Sequence, residues 1–440
     1  MRSSVFRASS ILALAAILCH GQTDTQKLAD QARGLPPEFA ADLLFRLPAS
    51  AELLEALDSL AGSVHNPVQM DDVAGWTDTD SWATGRALAL HLDTLSIQCR
   101  VVRQMLAIDP QRARQMFLDI ALPAIEQPKC DAALVADPSI YYDTARELAD
   151  KGLFSLEAPL RALSSAVQLP AAARAIRMLH CTNEQRQFLL DIYAGRLAEI
   201  SDSPRAVAFA LTGMLLPAEI VHLAETSPAD NLLAAYRKFL VRHISGGQCA
   251  DSKIQPAIDS FNERLRWGGY LASQDVPRIT EEESKPSGWA GRAHVDRYWH
   301  TEQAKRLLSA IRHLRFGEGS SPLSADQKAA NSWQAEAKTL LTSLEGWKAD
   351  QEGSPADSFH ERAILYSSLL ELLPPGRLHD TAPQSAMAFL ADSEMKSSNP
   401  LEWLLELNSL MSLKQPEITK AMLASKDPVI SLYRAITHQK

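Results

Sequence analysis

The chain has 440 residues, 44 Lys+Arg against 53 Asp+Glu for a formal net charge of −9, and 46% hydrophobic residues. That composition is neither disordered nor fibrous, and it can bury one large core or two to three smaller ones. The net acidity disfavours nucleic acid, which is bound through clustered Lys and Arg, and no run after residue 21 approaches the roughly 20 apolar residues that span a bilayer.

Residues 1–21 have the form of an export signal. Arg2 and Arg7 precede an apolar stretch from Ile11 to Leu18, and Cys19 and Gly21 supply the small residues at −3 and −1 for cleavage after Gly21. Removing the segment removes two Arg and no acid, which takes the formal charge from −9 to −11. Cys19 also suggests lipid anchoring, but Leu18 stands where a small residue is needed, so an exported protein without an anchor is the expectation. It is periplasmic or secreted.

Four cysteines follow: Cys99, Cys130, Cys181 and Cys249. In an exported chain an even number permits two disulfides, and the nearest-neighbour pairing is Cys99–Cys130 with Cys181–Cys249. Cys99 also falls on the stripe Leu88, Leu92, Leu95, Cys99, Val102, Leu106, where it could be a buried thiol. There is no CxxC, so neither a zinc ribbon nor a thioredoxin-type centre has support.

The periodicity is helical throughout. Ala304, Leu307, Ile311 and Leu314 lie on one face of a 3.6-residue helix, as do Trp333, Ala337, Leu340, Leu344 and Trp347, and then Phe359, Ala363, Tyr366, Leu370 and Leu373. Valine is scarce, at 14 residues, and alternating strand patterns are missing, so the fold class is all-α. A capping residue precedes Pro at Asp109, Asp137, Ser203, Ser227, Ser321, Ser354, Asn399 and Asp427, each a predicted helix start. Capping boxes are predicted at Thr182…Gln185, Ser324…Gln327 and Thr381…Gln384.

Short helices with short connections predict antiparallel pairs stacked in a row. The segment Ala107-Ile108-Asp109-Pro110-Gln111-Arg112-Ala113 resembles the inter-helix turn of tetratricopeptide-type repeats, where Asp-Pro opens the next helix. Successive Pro starts are 28, 66, 24, 94, 33, 45 and 28 residues apart, with no fixed period. The expectation is therefore an irregular α-solenoid, with a helical bundle or an (α/α) toroid as the structural alternatives.

Two stretches interrupt the pattern. Residues 62–81 carry Asp71, Asp72, Asp78 and Asp80, and residues 273–292 are rich in Pro, Ser and Glu. The second reads as a linker or long loop. It separates an N-terminal helical-repeat region, 22–272, from a C-terminal helical region, 293–440.

Chemistry-bearing groups are sparse. His294, Asp296 and His300 form the densest cluster, among Trp289, Tyr298 and Trp299, and are the candidate metal ligands, although they flank a predicted helix start rather than converge. Glu219-x-x-His222 has the spacing of a di-iron carboxylate site but no second copy; Asp357-x-x-His360 comes nearest. His360-Glu361 begins an H-E-x-x-H that fails at Ile364, and the Asp78–Ala89 stretch lacks the Gly and closing carboxylate of a calcium loop. No G-x-S-x-G, P-loop or G-x-G-x-x-G is present, and no cofactor is expected.

An exported helical region followed by a smaller one, with Glu283-Ser284 at the junction, is similar to soluble lytic transglycosylases, and this implies Glu283 as the catalytic acid. The Gly-Leu-Met-Gln stretch of that family does not follow, and Glu283 ends the acidic run Glu281-Glu282-Glu283, a poor setting for raising a carboxyl pKa. With only 28 Phe, Trp and Tyr, a carbohydrate cleft in an (α/α) toroid is also thinly supported. The sequence thus predicts an exported, non-catalytic helical scaffold that binds a protein or peptide. Peptidoglycan or polysaccharide cleavage is the alternative, and glycan the alternative ligand.

Overall fold

A computed structural model describes residues 25–63, 90–120, 138–213, 215–226, 230–244, 254–267, 276–279, 301–328, 330–347 and 355–437. The fold is all-α: no strand occurs among the described residues, and no single described helix is long and apolar enough to cross a membrane. The signal-like segment, residues 64–89, Cys130, Cys249, Glu283, His294, Asp296 and His300 lie outside the described residues.

Contacts divide the chain into two compact units. The described residues from 93 to 279 form one; those from 25 to 92, together with those from 301 onward, form the other. The helix Pro37–Leu44, expected with the N-terminal region, therefore groups with the C-terminal helices, and it packs on Pro400–Ser412.

The middle unit is a succession of helix pairs. Thr94–Ile108 pairs with Pro110–Leu118, Ser139–Asp150 is followed by Glu157–Arg161, Leu169–Met178 by Asn183–Glu199, and Leu216–Thr226 by Asp230–Ile244; Ile254–Trp267 comes last. First members touch first members in chain order, and Asn183–Glu199 lies between Glu157–Arg161 and Asp230–Ile244. The apolar stripes are consumed in these seams, with Tyr142, Tyr193 and Tyr236 fully buried. Ion pairs repeat between successive first helices. Arg103 meets Glu147 at 2.6 Å, Arg174 meets Asp143 at 3.8 Å, and Arg177 meets Glu219 at 3.0 Å. The second helices use arginine differently: Arg196 Nε donates to the Leu163 carbonyl at 3.0 Å, and Arg242 Nη1 to that of Ile200, also at 3.0 Å. Each bond satisfies a carbonyl just beyond the C-terminal end of the preceding second helix, Glu157–Arg161 or Asn183–Glu199. Exposed ion pairs contribute about 1 kcal/mol at most, so they set register while apolar burial supplies the stability.

In the other unit, Pro355–Leu372 is central and packs on Glu302–Phe316, Asn331–Glu345, Arg377–Ala391 and Pro400–Ser412. Buried tryptophans tie elements together through their indole N–H. Trp333 donates to the Leu314 carbonyl, Trp403 to that of Leu390, and Trp347 to Ser358 Oγ.

The predicted helix starts hold at Asp109, Ser203, Asn399 and Asp427, whose side chains accept first-turn N–H groups. The boxes Thr182…Gln185 and Ser324…Gln327 form with both arms. Two starts differ. Thr381 lies inside Arg377–Ala391, and its hydroxyl donates to the Arg377 carbonyl instead of capping. Pro322 sits in a loop, because the Ser324 box starts the next helix two residues later.

The expected disulfides are not formed at the described cysteines: Cys99 and Cys181 are free thiols. Cys99 is buried in its helix, and burial pushes its thiol pKa up to about 12 despite a hydrogen bond with Thr144. It is the buried thiol that its stripe position allowed. The described part of the expected linker, 276–279, is also tied down. Asn262 donates to the Val276 carbonyl and accepts its N–H, both at 2.8 Å, and Gln255 accepts the Ile279 N–H.

Candidate functional site

The motifs singled out in the sequence are used structurally where the structure describes them. Glu219 holds Arg177 through both carboxylate oxygens, at 3.0 and 3.3 Å, while His222 stays exposed beside Glu225. They do not converge on a common ligand. His313 is half-exposed, 3.9 Å from Glu336.

His360 and Glu361 are buried and hydrogen-bonded inside the core instead. His360 Nδ1 lies 2.9 Å from Glu406 Oε1, with the two side chains only 2% and 0% exposed. Thr301 Oγ1 donates to Glu361 Oε2 at 3.3 Å, and Asn399 Nδ2 donates to Glu402 Oε2 at 3.1 Å. All four ionisable groups are buried, as are Trp403, Leu404, Leu405 and Leu407 on the helix that carries Glu402 and Glu406. A group with no solvent path can carry a hydrogen-bonded network, but it cannot meet a substrate.

His243 and Asp202 in the middle unit are likewise committed. His243 Nδ1 donates to the Phe239 carbonyl at 2.8 Å, and its Nε2 accepts the Asp202 N–H at 3.3 Å, which fixes a neutral tautomer. Burial lowers its pKa, partly opposed by the Phe239 contact. Asp202 accepts from Ser165 Oγ, Ala166 N and Ser203 N.

Among the described residues, a shallow groove opens where Glu157–Arg161 meets Asn183–Glu199. Phe188, 49% exposed, lines it together with Arg161, Asp191, Ile192, Gly195, Arg196 and Glu199. At Gly195 the surface is open, since a Cβ there would meet nothing within 4 Å. The charges are pre-paired: Arg161 with Glu157 and Arg196 with Glu199, each at 2.9 Å. An apolar anchor with cations and carboxylates around it suits a side chain of a partner polypeptide.

The groove escaped the sequence reading because Asn183–Glu199 carries two stripes. Leu189, Leu190, Tyr193 and Leu197 are buried, whereas Phe188, Ile192, Gly195 and Glu199 repeat at steps of 4, 3 and 4 along a second face. That second stripe was the available signal.

No known protein family, no curated protein and no solved structure matches the chain. Function therefore rests on the site alone.

Proposed function

We propose that the protein is a non-catalytic helical scaffold of solenoid type that binds a polypeptide segment in the Phe188–Gly195 groove. The segment inserts an apolar side chain against Phe188 and places charges of both signs opposite Arg161 and Asp191. One observation carries this reading: a half-exposed aromatic beside an open glycine, in a molecule whose buried His243, His360 and Glu406 are taken up by internal hydrogen bonds. Export rests on residues 1–21 alone, and N-terminal sequencing of the secreted or periplasmic chain tests cleavage after Gly21.

The test is selection of a random peptide display library on the full chain, followed by fluorescence polarisation of the enriched peptides. Peptides with an apolar anchor are expected, weakened at least tenfold by Phe188→Ala and by Gly195→Leu. Enriched peptides that bind both variants as they bind the wild type would overturn the groove. Clearing of a peptidoglycan suspension that Glu283→Gln abolishes would overturn the non-catalytic reading.

A further inference from the structure

We propose that His379, Asp380 and Glu417 form a zinc-binding site in the C-terminal helices, independent of the groove above. His379 and Asp380 sit in the first turn of Arg377–Ala391, and Glu417 in the first turn of Pro416–Ala424; the two helices pack together. One ligand atom from each residue lies within 4.8 Å of the other two.

The decisive contact is between His379 Nδ1 and Glu417 Oε2, 3.7 Å apart, with both side chains largely buried at 15% and 14% exposure. That separation exceeds the reach of a normal N–H···O bond, about 2.7–3.2 Å. Glu417 Oε2 is shielded from solvent and has no hydrogen-bond partner among the described residues. Its other oxygen faces Lys420 at 3.8 Å, so the lysine leaves Oε2 unserved. An imidazole nitrogen and a buried carboxylate oxygen thus face each other across a gap too wide for a proton bridge.

Zinc fits that gap. With Zn–N and Zn–O bonds of about 2.0–2.2 Å, tetrahedral ligands sit roughly 3.3–3.5 Å apart. The His379–Glu417 pair already approaches that spacing, and exposed Asp380 offers a carboxylate oxygen within 4.8 Å of both. One imidazole and two carboxylates suit Zn²⁺ or a neighbouring first-row divalent ion better than Ca²⁺, which takes six to eight oxygens. Three protein ligands leave a fourth position for water.

The experiment titrates Zn²⁺ into the chelator-stripped full chain by competition with a chromophoric chelator. His379→Ala and Glu417→Gln are expected to weaken the tightest site at least tenfold, and Asp380→Asn to weaken it less. His222→Ala and His313→Ala, each beside a single carboxylate, are expected to leave it unchanged. Co²⁺ substitution supplies a spectroscopic readout: ligand-field absorption of a four-coordinate N/O site, lost in Glu417→Gln. Glu417→Gln is nearly isosteric, so its circular dichroism and thermal unfolding should match the metal-free wild type, and its result decides if His379→Ala fails to fold. Wild-type zinc affinity in Glu417→Gln would overturn the proposal. So would the absence of binding in the wild type, or equal losses in the His222 and His313 variants.

Discussion

Arg46 donates a hydrogen bond to Asn408 Oδ1 at 2.9 Å and joins residues 362 positions apart in the chain. The same guanidinium holds Asp42 at 3.0 Å and lies 5.8 Å from the centre of the Tyr433 ring. One turn before Asp42, Phe39 meets Trp403 edge-on at 5.3 Å. The C-terminal helices thus complete their core with a helix from the other end of the chain. Arg46→Ala should destabilise this unit by about 1–2 kcal/mol, the range for hydrogen bonds to charged groups less the allowance for partial exposure. Denaturant unfolding followed by tryptophan fluorescence reads the change, and an unaltered midpoint would rule the bridge out as a stabilising contact.

His243 makes the middle unit sensitive to acid. Its folded pKa is lowered, first by burial, so the native state holds the ring neutral while the unfolded chain protonates near its ordinary value. A lowered folded value means the unfolded state binds more protons, so stability rises with pH through this range. The contribution is complete above about pH 6.5 and declines as pH falls below it. Thermal unfolding should therefore drop in temperature between neutral and mildly acidic pH. His243→Gln should flatten that drop at some cost in stability at neutral pH, and an unchanged slope would exclude His243 as its source.

Thiol chemistry separates the cysteines. Cys99, buried and with its pKa pushed up to about 12, should resist alkylation at neutral pH in the folded protein, while the part-exposed Cys181 reacts. In denaturant without reductant both should alkylate. Peptide mapping reads the outcome, and a cross-linked peptide joining Cys99 to Cys130 would contradict the free thiol.

How far the sequence reveals this architecture depends on the range of the interactions. Asp109, Ser203, Asn399 and Asp427 declare their helix starts because a cap acts within three residues. The stripes through Trp333 and Phe359 declare buried faces for the same local reason. Thr381 misleads because a threonine inside a helix can bond back to the carbonyl four residues earlier as readily as it caps. Cys99 misleads because parity and compartment say nothing of distance, whereas its place on the stripe was the better guide. The second stripe through Phe188 is legible at helical spacing, whereas the His379–Glu417 pair depends on two helices that meet only in three dimensions, and no spacing rule encodes that meeting.

Gly195 should tolerate a side chain. It lies in the middle of Asn183–Glu199 with open space above it. Gly195→Ala should stabilise the protein by about 0.5–1 kcal/mol, because alanine restricts the unfolded chain and favours helix. Denaturant melts measure this directly. A loss of stability would mean that the floor of the groove is occupied.

The His360–Glu406 pair supplies the largest expected effect of a single substitution. With the two side chains 2% and 0% exposed, neither can turn to water when the other is removed. His360→Ala leaves a carboxylate in the core and a cavity beside it, so a loss of about 3–5 kcal/mol is expected. Glu406→Gln keeps an acceptor oxygen for Nδ1 and should cost less. The paired replacement His360→Leu with Glu406→Leu removes both polar groups and refills the volume, so it should recover much of the single-variant loss. A double-mutant cycle on unfolding free energies, closed with the single variants His360→Leu and Glu406→Leu, separates the two contributions. If the paired variant loses the sum of the single losses, the contact carries no coupling, and each group is held by its other neighbours instead.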